Sequence, residues 1–206
     1  MHKLIGFCGY ARSGKDTAAE ALVGFKRKAF AEPLKYAVDN CIYNLLVMSG
    51  RLNELEDKLF TFEDSVSQHC TPKLRDEVKH IFRPMYVALG AGMRAIDPDF
   101  WIKALDSNNP VSGELGITSL LQTTDVVISD VRYVNEVRFI LNKGGSVYRV
   151  HREGFNPANA EEERSFGEIE LARKEGEVCV TDIYNKAESA RDFAIEIRDL
   201  FGVLPF

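Results

Sequence analysis

Cysteine is scarce in this chain of 206 residues: there are four, Cys8, Cys41, Cys70 and Cys179, and no two form a CxxC pair. Their gaps are long and irregular, which excludes a disulfide framework and reads as free thiols in a reducing compartment. Histidine is equally sparse. His2, His69, His80 and His151 have no metal-ligand spacing, and His69-Cys70 stands alone. No apolar run approaches the ~18 residues of a membrane helix. The run Leu4 to Cys8 is too short for a signal peptide and leads into a glycine-rich loop. A cytoplasmic location without a membrane partner is therefore expected. An excess of positive charge is missing too: 26 Lys and Arg stand against 31 Asp and Glu, a net charge of −5. That balance disfavours stable nucleic-acid binding. It leaves room for a small anionic ligand held by a few local cations. What is present is ordinary globular material, 45% hydrophobic and 28% charged, enough for one domain with a substantial core.

Apolar runs and helical faces alternate along the chain. Lys3 to Cys8 reads as a buried strand, followed by the punctuated stretch Gly9 to Gly14. Ala18, Ala21, Leu22 and Phe25 then lie on one helix face. Lys28 to Ala31 is a second short strand. Pro33 opens a helix that carries Leu34, Ala37, Val38, Cys41, Ile42, Leu45 and Leu46 and stops near Gly50. Residues 51 to 71 are weakly patterned, a loop or short helices. Thr71-Pro72 looks like an N-cap and first helical residue. The helix it would start should break or kink at Pro84 and end at Gly90 and Gly92. Asp97-Pro98 is a second such start, leading to Trp101, Ala104 and Leu105, and residues 107 to 122 read as loop. Three more strands follow, at Asp125 to Ser129, Ser146 to Val150 and Val178 to Ile183. A helix on Val134, Val137 and Leu141 and a last one over Ala190 to Phe201 lie between and after them. The acidic run Glu161 to Glu163 reads as a solvated helix face. Five strands alternating with helices imply an α/β fold, a parallel sheet with helices on both faces.

The strongest motif is Gly9-Tyr-Ala-Arg-Ser-Gly14-Lys15-Asp16-Thr17, which fits GxxxxGK with Thr one place later than usual. Glycines let successive N–H groups curl around an anion, and Lys15 adds a point charge for β- and γ-phosphates. A strand runs straight into the loop and a helix straight out, as that mechanism requires. Gly9, Ala11, Arg12, Ser13, Gly14, Lys15, Asp16 and Thr17 are thus candidate donor-binding residues. Asp16 holds Mg²⁺ with Thr17 beside it, or it is simply an acid at a helix start, and both readings stand.

These residues resemble the bacteriophage deoxynucleoside monophosphate kinases, within the P-loop, adenylate-kinase-like kinases. Three further segments carry the resemblance: Phe30-Ala-Glu-Pro-Leu-Lys35; Arg83, Leu89-Gly90, Arg94 and Pro98-Asp-Phe-Trp101; and Ile128-Ser-Asp-Val-Arg-Tyr-Val-Asn-Glu136. It spans about residues 3 to 152. It implies a P-loop kinase fold with a five-stranded parallel sheet, a core of about 1–50 and 123–206, a helical acceptor-binding region of about 51–122 and a lid of about 152–176. It implies transfer of the ATP γ-phosphoryl to a deoxynucleoside 5′-monophosphate with Mg²⁺ as cofactor, in the host cytoplasm if phage-encoded. Such transfer depends on alignment and on positive charge around the moving group.

Roles follow from the resemblance. Lys15 holds the donor. Asp130, at the end of a strand, is a carboxylate for Mg²⁺ or its waters, or else a strand-end cap. Arg132 faces the phosphates, with Glu136 orienting it or forming a structural pair. Arg83 and Arg94 are acceptor-phosphate clamps, or members of a solvated helix face. Asp97 is a candidate for the acceptor sugar or base, with the cap ahead of Pro98 the stronger reading. Trp101 stacks on the acceptor base or belongs to the core, and Lys35 reaches the acceptor or lies on the surface. Arg149 and Arg152 alternate faces while the strand persists, so Arg152, where the chain leaves the sheet, is favoured for the polyphosphate. Rival readings are a kinase resembling dephospho-CoA kinases and a nucleotide-dependent switch without phosphotransfer. The accepted bases and the oligomeric state stay open, a homodimer among the options.

Overall fold

A computed structural model describes residues 2–63, 71–108 and 114–203. From the N-terminus come β1 (Leu4–Cys8), α1 (Lys15–Ala21), β2 (Lys26–Lys28) and α2 (Glu32–Met48). Then follow α3 (Leu52–Leu59), β3 (Phe60–Glu63), β4 (Thr71–Leu74), α4 (Asp76–Ile96), α5 (Phe100–Asp106) and α6 (Ile117–Leu120). The chain closes with β5 (Val126–Val131), α7 (Val134–Asn142), β6 (Ser146–Arg152), α8 (Ala160–Lys174), β7 (Val180–Asn185) and α9 (Ala190–Phe201). Packing divides it into two units, Met1–Phe30 with Leu120–Phe206, and Ala31–Ser119. The second unit thus takes in α2, whereas the sequence reading drew its boundary near residue 50. The helix's buried Val38 and Ile42 share a core with Phe60 and Leu74, and that is why it groups there.

The first unit is a five-stranded parallel sheet in the order β2-β5-β1-β6-β7. The expected α/β class with a parallel sheet flanked by helices is the one observed. β1 is central and buried along its whole length, as its unbroken apolar run requires. Ile5, Phe7, Val127 and Val150 point to one face, against Ala18, Ala21 and Leu22 of α1 and Phe193 and Ile197 of α9. Gly6 points to the other face, where a Cβ would lie 2.5 Å from Ile140 Cδ1 of α7. Neighbouring β1 and β5 therefore send their helices to opposite faces. In an open parallel sheet this creates a crevice at the carboxyl ends of the two strands. There Cys8 of β1 pairs with Val131 of β5. The Cys8 thiol is buried, which pushes its pKa up to about 12. Cys8, Cys41 and Cys179 are free, as expected, and Cys70 lies outside the described residues.

Several sequence expectations for the second unit are corrected. Thr71-Pro72 does not start a helix: Thr71–Leu74 is a strand, antiparallel to β3, with Phe62 opposite Pro72 and Phe60 opposite Leu74. Proline is tolerated in such an edge strand, and Leu74 is drawn into the core. The helix begins at Asp76 and runs unbroken through Pro84, Gly90 and Gly92 to Ile96. Pro84 is exposed, so the carbonyl it leaves unbonded one turn earlier reaches water. Gly90 ends nothing: a Cβ there would meet Leu34 Cδ2 at 3.0 Å, so the glycine lets α2 approach α4. Residues 107 to 122, read as loop, include the short helix α6, with Thr118 bonded through its N–H and hydroxyl to Asp106. Asp39 is buried on α2 and ties this unit together, accepting from Leu74 N–H at 3.2 Å and Tyr86 Oη at 2.5 Å. Burial and this carboxylate both raise the Tyr86 pKa. No helix among the described residues is long and apolar enough to cross a membrane.

Candidate active site

The loop between β1 and α1 is built on backbone torsions that few residues adopt. Gly9 has φ 145° and Gly14 φ 107°, and between them Arg12 takes φ 64° despite its side chain. The two glycines are also sterically required. A Cβ on Gly9 would lie 2.5 Å from the Val150 carbonyl oxygen, and one on Gly14 would lie 2.6 Å from Asn185 Nδ2. The turn is closed by Ser13 N–H donating to the Tyr10 carbonyl at 3.1 Å, and Asn185 Nδ2 donates to the Ser13 carbonyl at 3.0 Å. Ser13 Oγ is buried and has no hydrogen-bond partner among the described residues. A buried hydroxyl without a partner is costly. It lies inside a glycine-lined turn followed by Lys15, a cradle that fits the phosphates of a nucleotide.

Side chains around the loop come from distant parts of the chain. Tyr10 packs edge-on to Phe166 of α8 at 5.2 Å, and the Arg149 guanidinium lies over both rings. Arg149 also pairs with Glu170 at 3.2 Å. Arg152 stays exposed at the end of β6 with its guanidinium over Phe155. The strand persists to Arg152, one turn of alternation further than expected. Asp16 is exposed and paired with Arg27 Nη2 at 2.6 Å, and Arg27 also holds Glu20 and Ser129 Oγ. Asp130, near the end of β5, accepts the Phe30 N–H at 2.7 Å, joining β5 to the chain that leaves β2. Glu136 is buried and acts on the backbone: its Oε2 accepts the N–H groups of Arg132 at 2.6 Å and Tyr133 at 3.1 Å, capping α7. The Arg132 side chain is exposed.

The acidic run on α8 corrects its expected role as a solvated face. Glu161 and Glu163 are exposed, but Glu162 is only 6% exposed. Its Oε1 accepts the Ala11 N–H of the phosphate loop at 3.1 Å and its Oε2 accepts the Ala158 N–H at 2.7 Å.

The remaining candidates lie in the second unit. Lys35 and Arg83 are exposed and Arg94 is half-buried in the last turn of α4. Asp97 turns the chain: its Oδ1 accepts the Asp99 N–H at 3.0 Å and its Oδ2 pairs with Lys103 at 2.8 Å. The Lys103 hydrogen bond and that N–H hold its carboxyl below the usual range. The helix itself starts two residues later than expected, at Phe100 with Asp99 as the cap. Trp101 is 7% exposed, and its Nε1 donates to the Gly90 carbonyl at 3.1 Å. Of the two readings of Trp101, the packing matches the core one.

No family model matches the sequence. Over 181 residues it is 30% identical to an Acanthamoeba polyphaga mimivirus protein named "Putative deoxynucleotide monophosphate kinase", covering 82% of this chain and 81% of that one. The chain belongs to the deoxynucleotide monophosphate kinase family. Among solved structures, a dephospho-CoA kinase from Campylobacter jejuni aligns with 98% of this chain and 96% of its own, at a TM-score of 0.46 and 14% identity.

The loop residues, Asp130, Arg132 and Arg152 belong to the first unit, and Lys35, Arg83, Arg94, Asp97 and Trp101 to the second. Sequence reasoning missed Asn185 and Glu162, which hold the loop from 150 and more residues away, and Asp39. Asn185 is the last residue of β7, just beyond the strand expected over Val178 to Ile183, where it resembles any turn residue. Glu162 sits in a run of three glutamates, and nothing local shows that the middle one reaches the loop. A spacing signal existed only for Asn159, three residues ahead, whose Oδ1 caps the helix by accepting the Glu162 N–H at 2.9 Å.

Proposed function

We propose that this protein transfers the γ-phosphoryl group of ATP to a deoxynucleoside 5′-monophosphate, releasing the deoxynucleoside diphosphate. The observation that carries the reading is the phosphate loop: a glycine-lined turn around the orphaned Ser13 Oγ, followed by Lys15, at the carboxyl ends of β1 and β5. Family membership supports the same class of reaction.

In this reading the amides from Arg12 to Thr17 cradle the polyphosphate and Lys15 places its ammonium against the β- and γ-oxygens. Mg²⁺, when bound, draws charge from those oxygens. It takes few protein ligands beside phosphate and water. The hard oxygens of Thr17 and Asp130 suit it, and no group of three ligating side chains is found among the described residues. Asp16 is left outside this set because Arg27 already neutralises it. Arg132 and Arg152 bring positive charge to the group in transit, and the segment 152–176 covers it. Residues 31–119 bind the acceptor, with Arg94, Arg83 and Lys35 on its phosphate, since a guanidinium grips phosphate through two parallel hydrogen bonds. Asp97 and Trp101 shape that region and do not touch the base. Glu136 sets the backbone that presents Arg132. Both substrates are small soluble nucleotides, which suits a cytoplasmic enzyme.

The test is coupled ADP release with each deoxynucleoside monophosphate, the ribonucleotides, dephospho-CoA and no acceptor. Turnover is expected only with deoxynucleoside monophosphates. Lys15→Ala is expected to lower kcat by about 10²-fold or more while the protein stays folded. ADP release that ignores the acceptor, or a wild-type kcat in folded Lys15→Ala, overturns the reading.

A further inference from the structure

We infer that Glu162 is a positioning residue for the donor site. It fastens the Tyr10–Ala11 limb of the phosphate loop to the start of α8 and so sets the amides that follow for polyphosphate. The inference rests on the donor-site reading above.

A glutamate in the first turn of a helix normally stays in water, as Glu161 and Glu163 do. Glu162 instead gives up hydration, which a carboxylate does at substantial cost unless its oxygens are satisfied. Both are, by N–H groups from two segments 147 residues apart in sequence, Ala11 and Ala158. Two donors converging on one group demand two acceptors. Only a carboxylate offers them, since a carboxamide would turn its own NH₂ toward one of the donors. Ala11 is also where the loop needs holding. It stands between Gly9 at φ 145° and Arg12 at φ 64°, the torsions that reverse the chain, and the Ser13 N–H closes the turn on the Tyr10 carbonyl. A second contact backs up the first, as the Tyr10 ring rests on Phe166 one helical turn beyond Glu162. An anion cradle works by having its amides aimed before the ligand arrives. Loosening this limb therefore costs polyphosphate affinity and leaves the acceptor region alone.

The experiment is calorimetric titration of the full-length protein, with ATP and a deoxynucleoside monophosphate added separately, alongside a thermal melt. In Glu162→Gln the Kd for ATP is expected to rise about tenfold or more, the loss of one charge-assisted hydrogen bond. The Kd for the monophosphate is expected to stay within about twofold, as for uncoupled sites. Hydrogen exchange across residues 9–17 is expected to quicken in the nucleotide-free variant. Asn159→Ala weakens the cap of α8 without touching the carboxylate. It is expected to lower the melting temperature with ATP affinity unchanged. The inference is overturned if Glu162→Gln binds ATP as the wild type does, or if Asn159→Ala weakens ATP as much. Should the Gln variant not fold, Glu162→Asp keeps the charge but is one methylene too short to reach both amides, and wild-type ATP affinity in it is equally fatal. Lys15→Ala runs in the same titration. If it also leaves ATP affinity intact, the donor-site reading itself has failed. If it abolishes binding while Glu162→Gln does not, only the role of Glu162 falls.

Discussion

Replacing Gly14 by alanine adds one methyl group at the hinge between loop and helix, and the structure allows its cost to be worked out. The backbone there has φ 107°, a region that L side chains rarely adopt. Holding a non-glycine residue in such a region costs about 1–3 kcal/mol. The new Cβ would lie 2.6 Å from Asn185 Nδ2, and that group is the donor to the Ser13 carbonyl. Pushing the amide aside leaves a buried donor and acceptor unpaired, about 1–3 kcal/mol more. Phe193, buried in the core, stands 3.1 Å away and blocks the alternative shift. The expected loss is therefore about 2–6 kcal/mol, a large share of the ~5–15 kcal/mol that holds a domain together. At about 2–4 °C per kcal/mol for a chain of this size, the melting temperature should fall by roughly 4–24 °C. Two further glycines of the same unit calibrate the result. Gly24 also has a positive φ, 91°, but nothing within 4 Å of its Cβ position. Gly24→Ala should show the backbone cost alone, about 1–2 kcal/mol. Gly167 lies inside α8 with open space around it, and Gly167→Ala should stabilise by about 0.5–1 kcal/mol. Urea denaturation of the three variants gives the comparison. If Gly14→Ala is no more damaging than Gly24→Ala, the claim that Asn185 and Phe193 leave no room for a side chain is wrong.

Trp101→Phe removes the indole N–H that reaches the Gly90 carbonyl and part of a buried ring, so it should cost about 2–3 kcal/mol in a urea melt with the KM for the acceptor unchanged; unchanged stability with a raised acceptor KM would restore the stacking role. Burial works to raise the Asp182 pKa, but hydrogen bonds from His151 and Arg173, both at 2.7 Å, outweigh it and hold the carboxyl below its ordinary value. A depressed folded pKa gives stability that is complete above the unfolded value of about 3.9 and disappears as pH falls through the folded one. Asp182→Asn should therefore cost about 1–2 kcal/mol near pH 7, and its gap from the wild type should close under acid. Melts at pH 7, 5, 4 and 3 decide the matter, and a gap that does not vary with pH refutes it.

How much of this was legible beforehand depends on the distance over which the deciding interaction acts. β1 and β5 were readable because a strand segment buried on both faces is apolar, and Leu4–Cys8 and Val126–Ile128 carry that requirement in their own composition. The phosphate loop was readable for a similar reason. Its glycines answer to torsions and clashes at Gly9 and Gly14 that no other residue tolerates, so the motif is a local imprint of the site. Thr71-Pro72 misled because the same two residues suit a helix start and an edge strand, and the choice was made by Phe60 and Phe62, about ten residues away. Gly90 misled because its lost side chain serves Leu34 of another helix rather than a helix end. Of three adjacent glutamates, which one would be buried was decided when α8 met the loop and Ala11 offered its N–H to Glu162. Chain composition by itself thus determined the central strands β1 and β5 and the anion cradle, whereas the edge strand expected over Lys28 to Ala31 lies at Lys26–Lys28. The parts that hold the cradle in shape, Asn185 and Glu162, were decided only by tertiary structure, because a hydrogen bond across more than 150 residues leaves no periodicity in either partner's neighbourhood.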